Sequence, residues 1–159
     1  MIKTIIIDDE ARGISSLKIL LQTHCPHLSV IAVCNQAEDA IELINNLKPD
    51  LLFLDISMPV KSGFDILNEI SEKNFEIIFV TAHAEYALKA FKYSAADYLL
   101  KPVMEDQLVE AVARVGEKIK SKTDNNFFIL FPPVCFLQQE SFLETFPDMY
   151  MYILLLLIF

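Results

Sequence analysis

Four short, nearly unbroken apolar runs each end on a polar side chain, and this pattern constrains the chain more than any other. Ile5-Ile6-Ile7 leads into Asp8-Asp9, Leu51-Leu52-Phe53-Leu54 into Asp55, Ile77-Ile78-Phe79-Val80 into Thr81, and Tyr98-Leu99-Leu100 into Lys101. A strand that alternates apolar and polar residues has one wet face, whereas a strand that is apolar throughout must be covered on both. Between the runs lie stretches of helical period: Ile14, Leu17, Leu21; Ala37, Ala40, Ile41, Ile44, Leu47; Phe64, Leu67, Ile70; Ala84, Ala87, Leu88, Phe91; and Leu108, Val112, Val115, Ile119. The spacing predicts strands over about 3–8, 29–33, 50–54, 76–81 and 96–100, each followed by a helix. Five such units make an α/β fold with a doubly wound parallel sheet. In an open sheet of this kind the strand ends that follow the apolar runs meet at one edge. Asp8, Asp9, Asp55, Thr81 and Lys101 are therefore expected together.

The connections, such as Asn35, Pro49-Asp50 and Lys61-Ser62-Gly63, are short and rich in turn or cap residues. With 159 residues, 53% of them hydrophobic, the chain can bury one ordinary core and is expected to hold one principal domain, residues 1–120. From residue 121 the pattern changes: Asp124-Asn125-Asn126, an aromatic run, Pro132-Pro133, then an almost wholly apolar stretch from Met149 to Phe159. Eleven helical residues reach roughly 16 Å against a bilayer core of about 30 Å, so no membrane span is expected. This tail, 121–159, reads as an atypical segment that packs on the domain or stays loosely ordered, and its apolar surface is an association hazard. A net charge of -9 leaves no basic surface for a nucleic-acid backbone. Three cysteines without a CxxC pair argue against a disulfide framework or zinc knuckle, and an acidic pair at position 8 argues against a signal peptide; a reducing cytoplasm is the expected location.

Three carboxylates brought to one edge repel by about 4 kcal/mol per close pair at 4 Å and an effective dielectric near 20. A cation must sit among them. Mg²⁺ suits carboxylate, carbonyl and phosphate oxygens, and Lys101 adds a charge of its own. A site of this composition can accept a phosphoryl group on a carboxylate, with lysine and threonine contacting the moved oxygens.

The segments Ile7-Asp8-Asp9-Glu10, Leu54-Asp55-Ile56-Ser57-Met58-Pro59, Val80-Thr81-Ala82 and Lys101-Pro102, in this order, resemble the receiver domains of bacterial two-component response regulators. The resemblance implies a flavodoxin-like sheet of strand order 2-1-3-4-5. It implies that Asp55 is the phosphoacceptor, that Asp9 ligates Mg²⁺ directly, that Asp8 is its acidic partner, and that Ser57 offers its backbone carbonyl to the metal. By the same resemblance Thr81 turns its hydroxyl toward the phosphoryl group, Tyr98 follows it inward, Lys101 forms the ion pair, and the Lys101-Pro102 bond is cis. Ser57 and His83, flanking the site, would tune the phosphoryl lifetime. The stretch Phe79 to Phe91, followed by Asp97 to Pro102, is similar to the LytTR subgroup, in which a receiver is joined to a DNA-binding domain. Residues 121–159 show no LytTR sequence, so a truncated or frame-disrupted product is the reading, with no direct DNA binding expected from this chain. The implied partners are a sensor histidine kinase and a second copy, met through a face of the fourth helix, fifth strand and fifth helix carrying Lys89, Lys92, Tyr93 and Tyr98.

Each of these residues has an ordinary reading on its own. Asp55 would be a turn or cap acid, Asp8-Asp9 a cap for the helix near Ala11, Thr81 a β-branched strand residue, Lys101 a solvated lysine and Tyr98 packing. His24-Cys25-Pro26-His27 reads as a loop at a helix end rather than a metal site. A haloacid-dehalogenase-like phosphatase uses similar groups but needs a second Asp where Ser57 stands. A flavodoxin-like mononucleotide binder would have to seat phosphate on the acidic Asp8-Asp9-Glu10 turn, where like charges repel it. A receiver retained only for binding is a further possibility. The expected activity is a signalling phosphoacceptor, not an enzyme acting on a separate substrate.

Overall fold

The computed structural model describes residues 1–130, with side chains through residue 122. Strands and helices alternate: β1 (Ile2–Ile7), α1 (Ala11–His24), β2 (Leu28–Cys34), α2 (Ala37–Leu47), β3 (Leu51–Leu54), α3 (Gly63–Glu69), β4 (Glu76–Thr81), a single 3-10 turn (Ala84–Tyr86) running into α4 (Ala87–Phe91), β5 (Asp97–Leu100) and α5 (Glu105–Leu130). The strands differ from the expected spans by one residue at several ends, the usual fraying of such assignments. All pairings are parallel and the order is β2-β1-β3-β4-β5. This is the doubly wound, flavodoxin-like sheet.

The unbroken apolarity of the central strands has a simple cause in this topology. Along β1, Ile5 and Ile7 enter one core while Ile6 enters the other; β3 divides Leu52 and Leu54 from Leu51 and Phe53, and β4 divides Ile77 and Phe79 from Ile78 and Val80. Successive side chains on a strand point to opposite faces, so a sheet with helices on both sides needs apolar residues at every position. Ala40, Ile44, Phe64 and Leu67 cover one face, and Ile14, Leu17, Leu21, Leu108, Val112 and Val115 the other. Each fully buried Leu, Ile or Phe stabilises the fold by roughly 1.5–3 kcal/mol.

The fourth helix departs from the expected stripe. Leu88 and Phe91 are 81% and 80% exposed, and Ala90 is the residue that packs inward. The helical period held, but the element is only a 3-10 turn and five α-helical residues, too short to bury the whole pattern. Two residues of the face expected to meet a second copy also contact α3: Lys89 Nζ lies 4.2 Å from the centre of the Phe64 ring, and Tyr93 stacks on that ring at 5.0 Å while donating to Asn68 Oδ1.

By its contacts the chain divides into Met1–Ile119 and Lys120–Phe159. The described part of the second unit is helical, the end of α5 at Leu130, past the expected boundary at 120. No proline interrupts the sequence from Glu105 until Pro132. The expectations for the tail otherwise fall on residues 131–159, outside the described residues. Among the described residues no helix is long and apolar enough to cross a membrane.

Candidate functional site

The strand ends carry the predicted side chains to one edge, and backbone bonds prolong the ladder to hold them there. Asp8 N–H donates to Cys34 O, Asp55 N–H to Ile7 O at 2.9 Å, and Lys101 N–H to Thr81 O at 2.9 Å. Each residue thus sits one step beyond its strand with its amide still tied to the neighbouring strand. The place is the crevice where β1 is flanked by β2 on one side and β3 on the other, the switch point at which open α/β sheets bind ligands.

Asp8, Asp9 and Asp55 each offer a carboxylate oxygen, all within 4.8 Å of one another. Asp8 and Asp55 are buried, and Asp9 is half-buried. Lys101 Nζ lies 2.7 Å from Asp55 Oδ2 and 2.9 Å from Asp8 Oδ2. It also reaches Glu10 Oε2 at 3.3 Å. The remaining oxygens of the inner acids accept backbone amides: Ser57 N–H donates to Asp55 Oδ1 at 3.1 Å, and Glu10 N–H to Asp8 Oδ1 at 2.9 Å. Lys101 is not a solvated lysine, its side chain being 18% exposed.

The electrostatics follow from three acids sharing one ammonium. Burial pushes the Asp8 carboxyl up, and the bonds from Lys101 and the Glu10 amide only partly oppose it. Burial alone would lower the Lys101 ammonium, but bonding to Asp55 and Asp8 more than offsets this and holds it well above the usual lysine range. The cation therefore stays charged and the pocket keeps an excess of negative charge. Hard oxygen donors in excess of their counter-charge fit Mg²⁺ or a similar divalent ion.

Thr81 Oγ1 is fully buried and has no hydrogen-bond partner among the described residues. An unsatisfied buried hydroxyl costs about 1–3 kcal/mol, so it marks a place where something polar belongs. Tyr98, half-buried, donates its hydroxyl to the backbone carbonyl of His83, two residues past Thr81. Burial, then the charges of Glu85 and Asp55, push that phenol up, so it remains a donor. The Lys101-Pro102 bond is cis.

One expectation fails here. Asp8 and Asp9 do not cap α1: Glu10 occupies the N-cap position, no side chain makes a cap bond and the first turn holds no acid. The Asp8 carboxylate is instead spent on Lys101 and the Glu10 amide. His24, read as part of a loop, pairs with Glu105 at 3.0 Å. Two glycines were missed. A Cβ on Gly63 would lie 2.3 Å from the Asp55 backbone oxygen, and one on Gly13 would lie 2.6 Å from Asp8 Oδ2. Gly13 could have been suspected, since an isolated glycine inside a helical pattern usually has a packing reason.

Residues 4–113 match the Response regulator receiver domain family. The chain belongs to that family. The receiver is 42% identical over 125 residues to the Transcriptional regulatory protein BtsR of Salmonella typhi, covering 78% of this chain and 52% of that one. It is 34% identical to the Sensory transduction protein LytT of Enterococcus faecalis over 77% of this chain and 51% of the relative. These relatives agree with the LytTR resemblance. Among solved structures, the receiver domain of AraT, a response regulator from Geobacillus stearothermophilus, superposes with a TM-score of 0.70 at 32% identity, covering 77% of this chain and 98% of that one. The response regulatory domain of protein mrkE from Klebsiella pneumoniae gives 0.69 at 29% identity, covering 75% and 98%. The receiver is thus a module of two-component signalling, and the chain spans about half the length of the curated relatives it matches.

Proposed function

We propose that this receiver, residues 1–120, accepts a phosphoryl group on Asp55 from the phosphohistidine of a sensor kinase and later loses it to water. The observation that carries the reading is the buried Asp55 carboxylate, held by Lys101 at 2.7 Å inside a cluster with Asp8 and Asp9. In the transfer an Asp55 oxygen bonds to phosphorus while the phosphorus–nitrogen bond breaks and the leaving imidazole takes up a proton. In the hydrolysis water attacks phosphorus and the Asp55 carboxylate leaves. Asp8, Asp9, Asp55 and the Ser57 carbonyl would hold Mg²⁺, which when bound neutralises charge on the moving oxygens.

The chain's own groups do the rest. Lys101, whose Nζ lies 2.7 Å from Asp55 Oδ2 before the transfer, supplies a positive charge to the new anion. Thr81 gives its orphan hydroxyl to a phosphoryl oxygen, which offsets the standing cost of burying it. Turning Thr81 toward the site disturbs the segment through His83, to whose carbonyl Tyr98 is bonded, and so biases α4 between two positions. Ser57, whose amide bonds to Asp55, and His83, whose carbonyl holds Tyr98, set how readily water reaches the phosphoryl group.

The surface under this control comprises α4, β5 and α5, where Leu88, Phe91 and Leu100 are exposed and Arg114 pairs with Asp97. A second copy is the occupant we infer. Transcriptional regulation, as the name of the BtsR relative describes it, is proposed for the response regulator in which this receiver acts and is not assigned to the receiver itself. A cytoplasmic setting fits the free, buried Cys25 and Cys34. The phosphatase alternative finds no support, since Ser57 stands where its second Asp would be.

Acetyl phosphate labelling read by intact mass tests acceptor and metal together. Wild type should gain one phosphoryl group with Mg²⁺ and little without it, and Asp55→Asn none. Undiminished labelling of Asp55→Asn would place the acceptor elsewhere, and multiple-turnover hydrolysis of phosphate monoesters would revive the phosphatase.

A further inference from the structure

Glu10 occupies the N-cap position of α1 and does not cap it. That position favours Ser, Thr, Asp or Asn, whose short side chains reach the free N–H groups of the first turn. The Glu10 carboxylate turns instead toward Lys101, 91 residues away, and meets its Nζ at 3.3 Å. The Lys101 ammonium has three N–H groups, and three carboxylates stand around it: Asp55 at 2.7 Å, Asp8 at 2.9 Å and Glu10 at 3.3 Å. They are not equivalent. The first two side chains are 6% and 4% exposed, whereas Glu10 is 66% exposed and lies on the solvent side.

Resting on the reading of Asp8, Asp9 and Asp55 as the cation site, we propose that Glu10 is a positioning residue: an outer seat that holds Lys101 at the rim when a divalent cation takes the inner carboxylates. Asp8 and Asp55 belong to both sets, the three acids that would hold the ion and the three that hold the ammonium. Two cations competing for the same oxygens repel each other. With Glu10 present, the ammonium keeps an anionic partner while yielding Asp8 and Asp55, and remains within reach of whatever Asp55 comes to carry. Without Glu10 it must either stay and oppose the ion or leave for solvent.

The test is calorimetric titration of MgCl₂ into the full chain at fixed ionic strength, with thermal unfolding of the metal-free proteins alongside. Glu10→Gln should weaken Mg²⁺ binding about two- to fivefold, the range for one exposed ion pair. Glu10→Asp keeps the charge but is one methylene shorter. It should bind Mg²⁺ as weakly as Glu10→Gln while unfolding at a higher temperature than wild type, because Asp can cap α1 where Glu does not. No purely structural role moves those two readouts in opposite directions. In a Lys101→Ala background Glu10→Gln should leave Mg²⁺ affinity unchanged. Wild-type affinity in Glu10→Asp, or an undiminished Glu10→Gln effect without Lys101, would mean that Glu10 acts only as a distant charge, and the proposal would be overturned. If wild type binds no Mg²⁺, the cation reading itself fails; if wild type binds and all Glu10 variants match it, only the role of Glu10 fails.

Discussion

Gly63 decides how closely α3 can approach Asp55. Its amide donates to Ile56 O at 3.0 Å, and an added Cβ would fall 2.3 Å from the Asp55 backbone oxygen, an atom that cannot swing aside. Gly63→Ala should destabilise the receiver by about 1–3 kcal/mol by overpacking, read from urea unfolding, and should slow labelling of Asp55 by shifting it against Lys101. Asp8 presents the opposite case. Its carboxyl is raised by burial, so the folded state holds its proton to higher pH than the unfolded chain does. Stability on this account falls as pH rises from the unfolded value, near 3.8, through the raised folded one. Asp8→Asn in metal-free protein should therefore raise the unfolding temperature at pH 7, with the gain shrinking as pH drops through that window. A gain that persists unchanged in acid would mean that the charge of Asp8 is not what destabilises the fold.

Among the elements, the turn from β3 to α3 carries both a stabilising device and a strained residue. Ser62 caps α3 through a reciprocal box with Asp65, whose carboxylate the bonds from the Ser62 side chain and amide hold below the usual range. Ser62→Ala should cost about 1 kcal/mol. Two residues earlier, Val60 has φ 68° and is 84% exposed. A β-branched residue in the left-handed region is strained by roughly 1–2 kcal/mol, while glycine there loses about 0.5–1 kcal/mol through the freedom of the unfolded chain. Val60→Gly should thus be neutral to about 1 kcal/mol stabilising, measured by the same unfolding curves. At α4, Leu88 and Phe91 are already in water, so Phe91→Ser should change stability by less than about 0.5 kcal/mol. Sedimentation of the phosphorylated variant should show weakened self-association if that face pairs with a second copy.

At the scale of the whole molecule, the receiver is a sheet edge that gathers charge and two cores that keep the edge in place. A cation bound only by the folded state should raise stability by about 2.7 kcal/mol at a hundredfold excess over its Kd, and chelation should remove the gain. The effect should shrink in Asp55→Asn, as thermal melts with and without Mg²⁺ would show. The chain alone determined the layered α/β class, because Ile5-Ile6-Ile7 and Leu51-Leu52-Phe53-Leu54 cannot be wet on either face. It also determined which polar residues end the strands. Which side of the helix at 84–91 is buried, and the use of Glu10, could not be read from it. Periodicity marks one side of a helix as apolar, but whether that side is buried depends on how much neighbouring surface a short helix can reach. A carboxylate's partner 91 residues away is likewise fixed only when parallel register sets β1 beside β3 and β3 beside β4, with β5 completing the edge. Those contacts arise from the folded arrangement of separated segments, and no local pattern in the chain encodes their distances.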